Sequence, residues 1–393
     1  MKRHATAASA SFPGDGLFDA EEDAFRHEFR TWLERHPAPE RPPTTDSAWM
    51  DEYGRWQASM AESGYAALHW PTEFGGAARP VAQQLVQIEE FTATGTDPKV
   101  LMAGLYLVGP LLMALGTPEQ QRRHLGEILF GRERWCVLLS EPDAGSDLLS
   151  VKSGALVEDG QLRITGQKVW TSYGHVAHYG ILLVRTDPDS TGSRGLSLVI
   201  VDMTSPGVVV RPIRQMNGES EFNEVFLDDV IVPLENVVGD LHGGTKSLMV
   251  LLSAERTGLS MAGYAMLVAK IEELRGAARD TQDRELRAEY VRLWSRTALQ
   301  RLTALRSVSN LSDPESSFAS ASAAKLQSAA NSKALADLAL RFVGLNGIAQ
   351  DAQDRDHAVI ARQFVRSPAD SIGGGTSEVQ KNTIAERVLG LPR

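Results

Sequence analysis

Apolar residues near the start of the chain recur at the spacing of a helix. Phe25, Phe29 and Trp32 lie three or four positions apart within the segment FDAEEDAFRHEFRTWLERHP. An α-helix repeats every 3.6 residues, so these side chains are expected to line one buried face. Asp19, with Glu22 three residues later, is typical of a capped helix start, and a proline closes the segment. The pattern therefore predicts an amphipathic helix.

More helices are predicted before residue 135. Trp49, Tyr53, Trp56 and Met60 share one helical face, and Gly64 ends this run. Three further segments have helical spacing or a helix start: QQLVQIEEF, VGPLLMALG and TPEQQRRHLGEIL. We therefore expect the first third of the chain to form a helical unit.

The pattern changes to alternation from Trp135 onward. In ALVEDGQLRITGQKVW, two alternating runs meet at Asp159–Gly160, which is a strong hairpin signal. Short β-rich runs follow: GILLVRTD, GLSLVIVDM, GVVVRPI and NEVFLDDVIVP. Their spacing favours a small β-barrel or sandwich over βαβ units. Long helical patterns return from about Gly243, so the predicted order is helices, a β block, then helices.

Composition narrows the class of protein. The net charge of -10 argues against a nucleic-acid surface as the main partner, and the single cysteine excludes an internal disulfide. The start MKRHATAASASF lacks the apolar core of a secretory signal, and no uncharged apolar run is long enough to cross a bilayer. We expect a disordered start, a cytoplasmic location, and neither a membrane nor a nucleic-acid partner.

Two segments of the β block carry polar groups suited to a cofactor. LLSEPDAGSDLLSV turns through Pro142 and Gly145 and offers two serines with several backbone N–H groups. GQKVWTSYG ends a strand with an aromatic next to two hydroxyls, which suits a flat heterocycle. Taken singly, the first segment is more simply an ordinary turn, and the second is more simply a core tryptophan before a turn.

Taken together, the motifs resemble those of the acyl-CoA dehydrogenase family. The shared pattern consists of SEPDAGSD, GQKVWTS twenty residues later, NEVFLDDVIVPLENVVG and the ending GGGTSEVQKNTIAERVLGLPR. The resemblance implies an α+β protein with a helical domain (18–134), a β-barrel domain (135–240) and a C-terminal four-helix bundle (241–393). Residues 1–17 would precede them as a disordered segment. It also implies FAD between the last two domains, and no metal.

The resemblance assigns roles to the residues of this chain that stand at matching positions of the family's motifs. Trp170 would pack on the isoalloxazine, Ser172 would hydrogen-bond near its reactive nitrogen, and Ser146 would lie near both the flavin and the pantetheine. The remaining positions that the resemblance assigns to FAD are Val137, Leu139, Ser140, Arg341, Thr376 and Glu378. Free N–H groups at the start of the last helix favour an anion such as the FAD pyrophosphate.

The catalytic base is displaced from its best-known place in the family. There a glutamate precedes a Gly-Thr pair, whereas here Gly374 stands before Gly375-Thr376. Residues 247–269 form an apolar helix pattern whose only charged residues are Glu255 and Arg256. Isovaleryl-type relatives place their base at the aligned position, so the resemblance implies Glu255 as base and Arg256 as a substrate ligand. The alternative is a structural ion pair with another helix.

The resemblance also implies that the Gly374 backbone N–H donates to the thioester carbonyl, together with a flavin ribityl hydroxyl; such donors stabilise the charge that develops on that oxygen. The predicted reaction is α,β-dehydrogenation of an acyl-CoA or acyl-carrier-protein thioester, with the electrons passing to an electron-transfer flavoprotein or a similar acceptor. The loss of a glutamate at Gly374 opens volume that suits a branched or bulky acyl group.

The sequence departs from the family near the subunit interface. The segment after the Glu255 helix lacks an Arg with a Phe-Gly pair, and Arg341 stands where a glutamine is common. A homo- or hetero-oligomer, dimer or tetramer, is expected. Two other hypotheses remain: a flavin-dependent oxidase or monooxygenase on the same fold, and a non-catalytic subunit of a hetero-oligomer.

Overall fold

The computed structural model describes residues 18–42, 45–96, 98–309, 314–344 and 355–392. The side chains of residues 255–262 are not described, although their backbone lies inside a helix. The disorder predicted for residues 1–17 falls outside the described residues. None of the described helices is both long and apolar enough to cross a bilayer.

The chain begins with a group of helices, as predicted. Asp19 caps the first one through a reciprocal capping box with Glu22, and Phe25, Phe29 and Trp32 are buried along its inner face. The helices and one π-helical segment are α1 (Ala20–Arg35), α2 (Ser47–Glu62), α3 (Val81–Thr94), α4 (Lys99–Leu101), the π-helix (Met102–Val108), α5 (Gly109–Leu115) and α6 (Pro118–Leu129). The predicted amphipathic helix is therefore confirmed.

The middle of the chain is a sheet of eight strands. They are β1 (Trp135–Leu138), β2 (Gly154–Glu158), β3 (Gln161–Ser172), β4 (Tyr179–Arg185), β5 (Leu196–Asp202), β6 (Val208–Pro212), β7 (Phe222–Pro233) and β8 (Val237–Val238). Their order is β6-β7-β3-β2-β4-β5-β8, and β1 runs parallel to β4. Asp159 and Gly160 both have positive φ in the tight β2–β3 turn, as the hairpin prediction requires.

The strands enclose a core of their own. Apolar side chains from both halves of the sheet, including Leu138, Ile164, Val199 and Val225, are buried in one cluster. A sheet whose strands share an enclosed interior in this way is barrel-like, which agrees with the prediction for this part of the chain.

Helices return after β8. They are α7 (Gly244–Glu273), α8 (Arg275–Asp280), α9 (Arg284–Ser309), α10 (Pro314–Val343), α11 (Arg355–Arg366) and α12 (Ser377–Thr383), followed by a π-helical turn (Ile384–Val388). The long helices α7, α9 and α10 pack pairwise, and α11 packs on α10. Leu267, Ile271, Leu293 and Leu335 lie in their shared core, so the predicted helical bundle is present.

A buried ionic network joins the first group of helices to this bundle. Glu89 of α3 accepts hydrogen bonds from Arg26 Nη2 at 2.8 Å, Arg301 Nε at 2.9 Å and the Tyr264 hydroxyl at 3.2 Å. Its neighbour Glu90 accepts from Arg26 Nη1 at 2.9 Å. Because Tyr264 belongs to α7 and Arg301 to α9, the network fixes α3 against both helices.

Candidate functional site

The loop after β1 lies directly against β3. Val137 pairs with Ile181 in the sheet, and Leu139 and Ser140 continue the chain beyond the end of β1. The Ser140 carbonyl accepts a hydrogen bond from Val169 N at 2.9 Å. This contact brings the first group of predicted cofactor residues next to Trp170.

A buried ion pair reinforces this junction. Lys168 Nζ, whose side chain has no exposed area, donates to Glu141 Oε1 at 2.8 Å and to the Leu139 carbonyl at 3.1 Å. Glu141 also accepts from the backbone N–H groups of Lys152 at 2.7 Å and Ser153 at 2.9 Å. Both charges are therefore compensated inside the protein, as buried charges require.

Burial and ion pairing shift the pKa values of Lys168 and Glu141 in opposite directions. Burial lowers the pKa of Lys168 to about 8, and the Glu141 carboxylate limits that shift. Burial by itself raises the pKa of Glu141, but Lys168 and the backbone donors outweigh it and bring the pKa below its ordinary value. The pair thus keeps a full negative charge on Glu141 near neutral pH.

Trp170 sits in a β-bulge with its ring exposed. Between Lys168 and Thr171, β3 holds one residue more than β7 holds between Val225 and Asn223. Trp170 has φ of 63°, a left-handed conformation that is costly for a bulky side chain, and its side chain is 58% exposed. The bulge therefore changes the direction of the indole from the one it would have in a regular strand, so that it faces outward.

The exposed face beside Trp170 continues onto the C-terminal helices. Phe222 meets the Trp170 ring edge-on at 6.0 Å, and the Arg366 guanidinium lies over Phe222 at 5.6 Å. Glu221 accepts from Arg366 Nη2 at 3.2 Å and from Arg41 Nη2 at 3.3 Å. Arg366 ends α11, so this cluster brings the following loop toward the bulge.

That loop contains two successive left-handed glycines. Gly374 has φ of 68° and Gly375 has φ of 89°, while Thr376 caps α12 by accepting from Val379 N at 3.2 Å. Gln380 Nε2 donates to the Gly374 carbonyl at 3.3 Å. Within the described ranges, the Gly374 N–H has no hydrogen-bond acceptor. The glycines are thus explained by backbone conformation, and one N–H is left available.

The remaining predicted cofactor residues are dispersed. Ser146 is exposed in the turn after the Glu141–Ala144 bridge, Ser172 is exposed at the end of β3, and Glu378 is exposed in the first turn of α12. Arg341 lies near the end of α10 and pairs with Glu289 of α9. No described contact joins Arg341 to β1 or β3, and its role across a subunit interface stays a prediction.

The predicted base lies on α7, where only its backbone is described. Glu255 and Arg256 occupy the middle of that helix, and their side chains are outside the described residues. Leu248 and Leu251, at one to two turns before Glu255, are buried in the same cluster as Trp135 of β1. α7 packs on β5 and on the π-helix, and the π-helix in turn packs on β1.

The sequence patterns did not single out the Glu141–Lys168 pair, although both residues lie in the quoted motifs. The signal for Lys168 was a charged residue at an inward position of β3, in line with Leu162 and Ile164. Among the described residues, no group of His, Cys, Asp or Glu is arranged to hold a metal ion.

Comparisons with known proteins identify the arrangement. Models of the N-terminal, middle and C-terminal domains of acyl-CoA dehydrogenases match residues 19–132, 136–230 and 242–389. The acyl-CoA dehydrogenase IpdE1 of Mycobacterium tuberculosis is 36% identical over 386 residues, which covers 95% of this chain and 98% of that protein. FadE34 of the same organism is 37% identical over 344 residues, covering 86% of this chain and 46% of its own length.

Solved structures show the same fold. The steroid ACAD Tcur3481-Tcur3483 superposes with a TM-score of 0.84 at 26% identity, covering 96% of this chain and 99% of that chain. The ChsE4-ChsE5 complex from Mycobacterium tuberculosis gives 0.82 at 29% identity, with 96% and 99% of the two chains covered.

Proposed function

Because this chain belongs to the acyl-CoA dehydrogenase family, an enzyme family that uses FAD, we propose that it introduces a double bond between the α- and β-carbons of an acyl thioester. The observation that carries this proposal is the exposed indole of Trp170, held in a strained bulge beside the loop after β1. Strain of this kind is retained where it serves function.

The residues around the bulge fit FAD. An outward-facing indole offers a flat ring to pack against, while the exposed Ser172 and the half-buried Ser140 supply hydroxyls for the polar edge of a flavin. The free Gly374 N–H lies in a loop that Arg366 draws toward the same face. When bound, FAD accepts the hydride that leaves the β-carbon.

The chain itself supplies the proton acceptor and the carbonyl donor. Glu255 is the general base that takes the α-proton. The Gly374 N–H donates to the thioester oxygen, where negative charge develops as the proton leaves. Arg256 is a candidate ligand for the thioester substrate.

Rapid-mixing kinetics test the base directly. Glu255→Gln is expected to retain FAD but to slow flavin bleaching by an acyl-CoA by about 10²–10⁴-fold under anaerobic conditions. Glu273→Gln, at an exposed position near the other end of α7, is the matched control and should react like the parent protein. Unchanged bleaching by the Glu255 variant would assign the base elsewhere.

The relatives support a substrate and partners of a particular kind. One structural relative is a steroid ACAD, and another is the ChsE4-ChsE5 complex. The steroid name, with the absence of a side chain at Gly374, supports a bulky ring-containing acyl group for this chain. The ChsE4-ChsE5 complex supports assembly with a second subunit, and an electron-transfer flavoprotein or similar acceptor completes the proposed reaction.

A further inference from the structure

The π-helix between α4 and α5 exposes a backbone carbonyl to side chains. Its bonds run five residues apart: Gly109 N donates to the Gly104 carbonyl. In that register the donor for the Leu105 carbonyl falls on Pro110, which has no N–H. Proline thus frees one carbonyl in the middle of the segment.

Two neighbouring side chains satisfy this carbonyl. The Leu105 oxygen accepts from Trp70 Nε1 at 2.8 Å and from His69 Nε2 at 3.0 Å. A carbonyl only accepts, so His69 carries its proton on Nε2 and presents a bare lone pair on Nδ1. Burial lowers the pKa of His69 to about 4, which keeps the ring neutral at physiological pH.

Tyr106 of the π-helix stacks on this histidine. The two ring centroids are 4.6 Å apart and the ring planes differ by 15°. Burial raises the pKa of Tyr106 to about 12, so its hydroxyl stays protonated. Within the part of the chain that the structure describes, neither the Tyr106 hydroxyl nor His69 Nδ1 has a hydrogen-bond partner. One neutral donor and one neutral acceptor thus lie side by side.

This pair borders the region where the acyl group is proposed to react. The π-helix packs against both α7 and β1. Tyr106 is half-buried against the cluster that contains Leu251, one turn before Glu255, and the partly buried Val137 and Leu139 pack on the same cluster. The π-helix that carries Tyr106 therefore packs on the elements that carry the proposed base and the proposed flavin contacts.

His69 and Tyr106 are both half-buried, and polar groups without a protein partner at the edge of a reaction site are open to a ligand. Both groups are uncharged, so a hydroxyl or a ketone matches them better than a carboxylate does. We propose that His69 and Tyr106 form a neutral subsite for an oxygen substituent on the acyl group. The preferred substrate is then an oxygenated, ring-containing acyl thioester. This inference rests on the proposed function, which it makes more specific.

Binding and turnover with matched thioesters test the subsite. Cyclohexanecarbonyl-CoA would be compared with its 3- and 4-hydroxy and 3- and 4-oxo derivatives by isothermal titration calorimetry and by kcat/KM on the FAD-loaded protein. We expect at least one oxygenated thioester to bind about tenfold more tightly than the parent, and Tyr106→Phe to remove that preference. The loss is measured against the parent thioester in the same variant, and it should be larger for the oxygenated one.

Tyr65→Phe is the matched control, because Tyr65 is also partly buried but packs against the rings of Phe25 and Phe29 of α1. It should preserve the preference. Equal affinity for parent and oxygenated thioesters, or an equal loss of both in Tyr106→Phe, would overturn the subsite. Binding preference without any flavin bleaching would leave the subsite standing and overturn the proposed reaction instead.

Discussion

Lys168 and Glu141 form an ion pair with 2.8 Å between Nζ and Oε1, and neither side chain is more than marginally exposed. Lys168 lies two residues before Trp170, and Glu141 directly follows Ser140. The pair therefore ties together the two segments that are proposed to hold the flavin ring.

Lys168→Met should destabilise the protein strongly, because it leaves the Glu141 carboxylate buried without its cation. We expect a loss of about 3–5 kcal/mol in the free energy of unfolding, measured by urea denaturation. Arg163→Met is the control, since it breaks an exposed ion pair with Asp229 and should cost at most about 1 kcal/mol. Similar losses in the two variants would mean that the buried pair contributes no more than a surface one.

Lowering the pH should reduce the free energy of unfolding, because His69 is harder to protonate in the folded protein than in the unfolded chain. Its pKa is about 4 in the folded protein against 6.5 unfolded, so the unfolded chain binds the proton first as pH falls. The associated stability is fully present above pH 6.5 and is lost as the pH falls toward 4, by about 3 kcal/mol.

Denaturation of wild type and His69→Gln across this pH range isolates the effect. Gln retains an N–H donor for the Leu105 carbonyl but has no proton to gain. The stability difference between the two proteins should therefore change with pH. His27→Gln, at an exposed position of α1, is the control for the substitution itself. A pH-independent difference for the His69 variant would contradict the assignment.

Trp170→Gly should make the flavin-free protein more stable and FAD binding weaker. Glycine tolerates the left-handed φ of 63° without strain, and the largely exposed indole contributes little burial. We expect a gain of about 1 kcal/mol in unfolding free energy. A fluorescence titration should show FAD affinity falling by about tenfold or more, through loss of the stacking surface.

Asp229→Gly is its control, because Asp229 also has a positive φ, of 53°, in the sheet. That variant also loses the ion pair with Arg163, so its unfolding free energy should change little, while its FAD affinity should stay unchanged. If Trp170→Gly bound FAD as tightly as wild type, the ring would not be part of the cofactor site.

Gly374→Ala should impair both loop geometry and turnover. A Cβ at φ of 68° costs about 1 kcal/mol, and any shift of the loop misaims the N–H proposed to polarise the thioester. We expect kcat to fall while FAD remains bound, as measured by steady-state kinetics with an artificial electron acceptor. Gly218→Ala, at a positive-φ glycine with open space around it, provides a control for strain alone.

Much of the fold could be predicted from local sequence patterns. The capping box at Asp19, the helical spacing of Phe25 and Phe29, and the Asp159–Gly160 hairpin depend on residues close in sequence, and each is present. The β-bulge at Trp170 depends instead on the register between β3 and β7, more than fifty residues apart.

The polar contacts of the site could not be predicted from local sequence patterns, because they also join residues that lie far apart in the chain. Lys168 meets Glu141 across 27 positions, and His69 meets the Leu105 carbonyl across 36. Pro110 was a local signal for an irregular helix, but which side chains satisfy the freed carbonyl depends on tertiary packing.

An anaerobic titration of the purified, FAD-loaded protein with acyl-CoAs, including ring-containing ones, tests the central claim most directly. The account predicts that flavin absorbance bleaches with one class of acyl group and that an enoyl thioester forms in equal amount. Bound flavin that none of these thioesters bleaches would contradict α,β-dehydrogenation of an acyl-CoA.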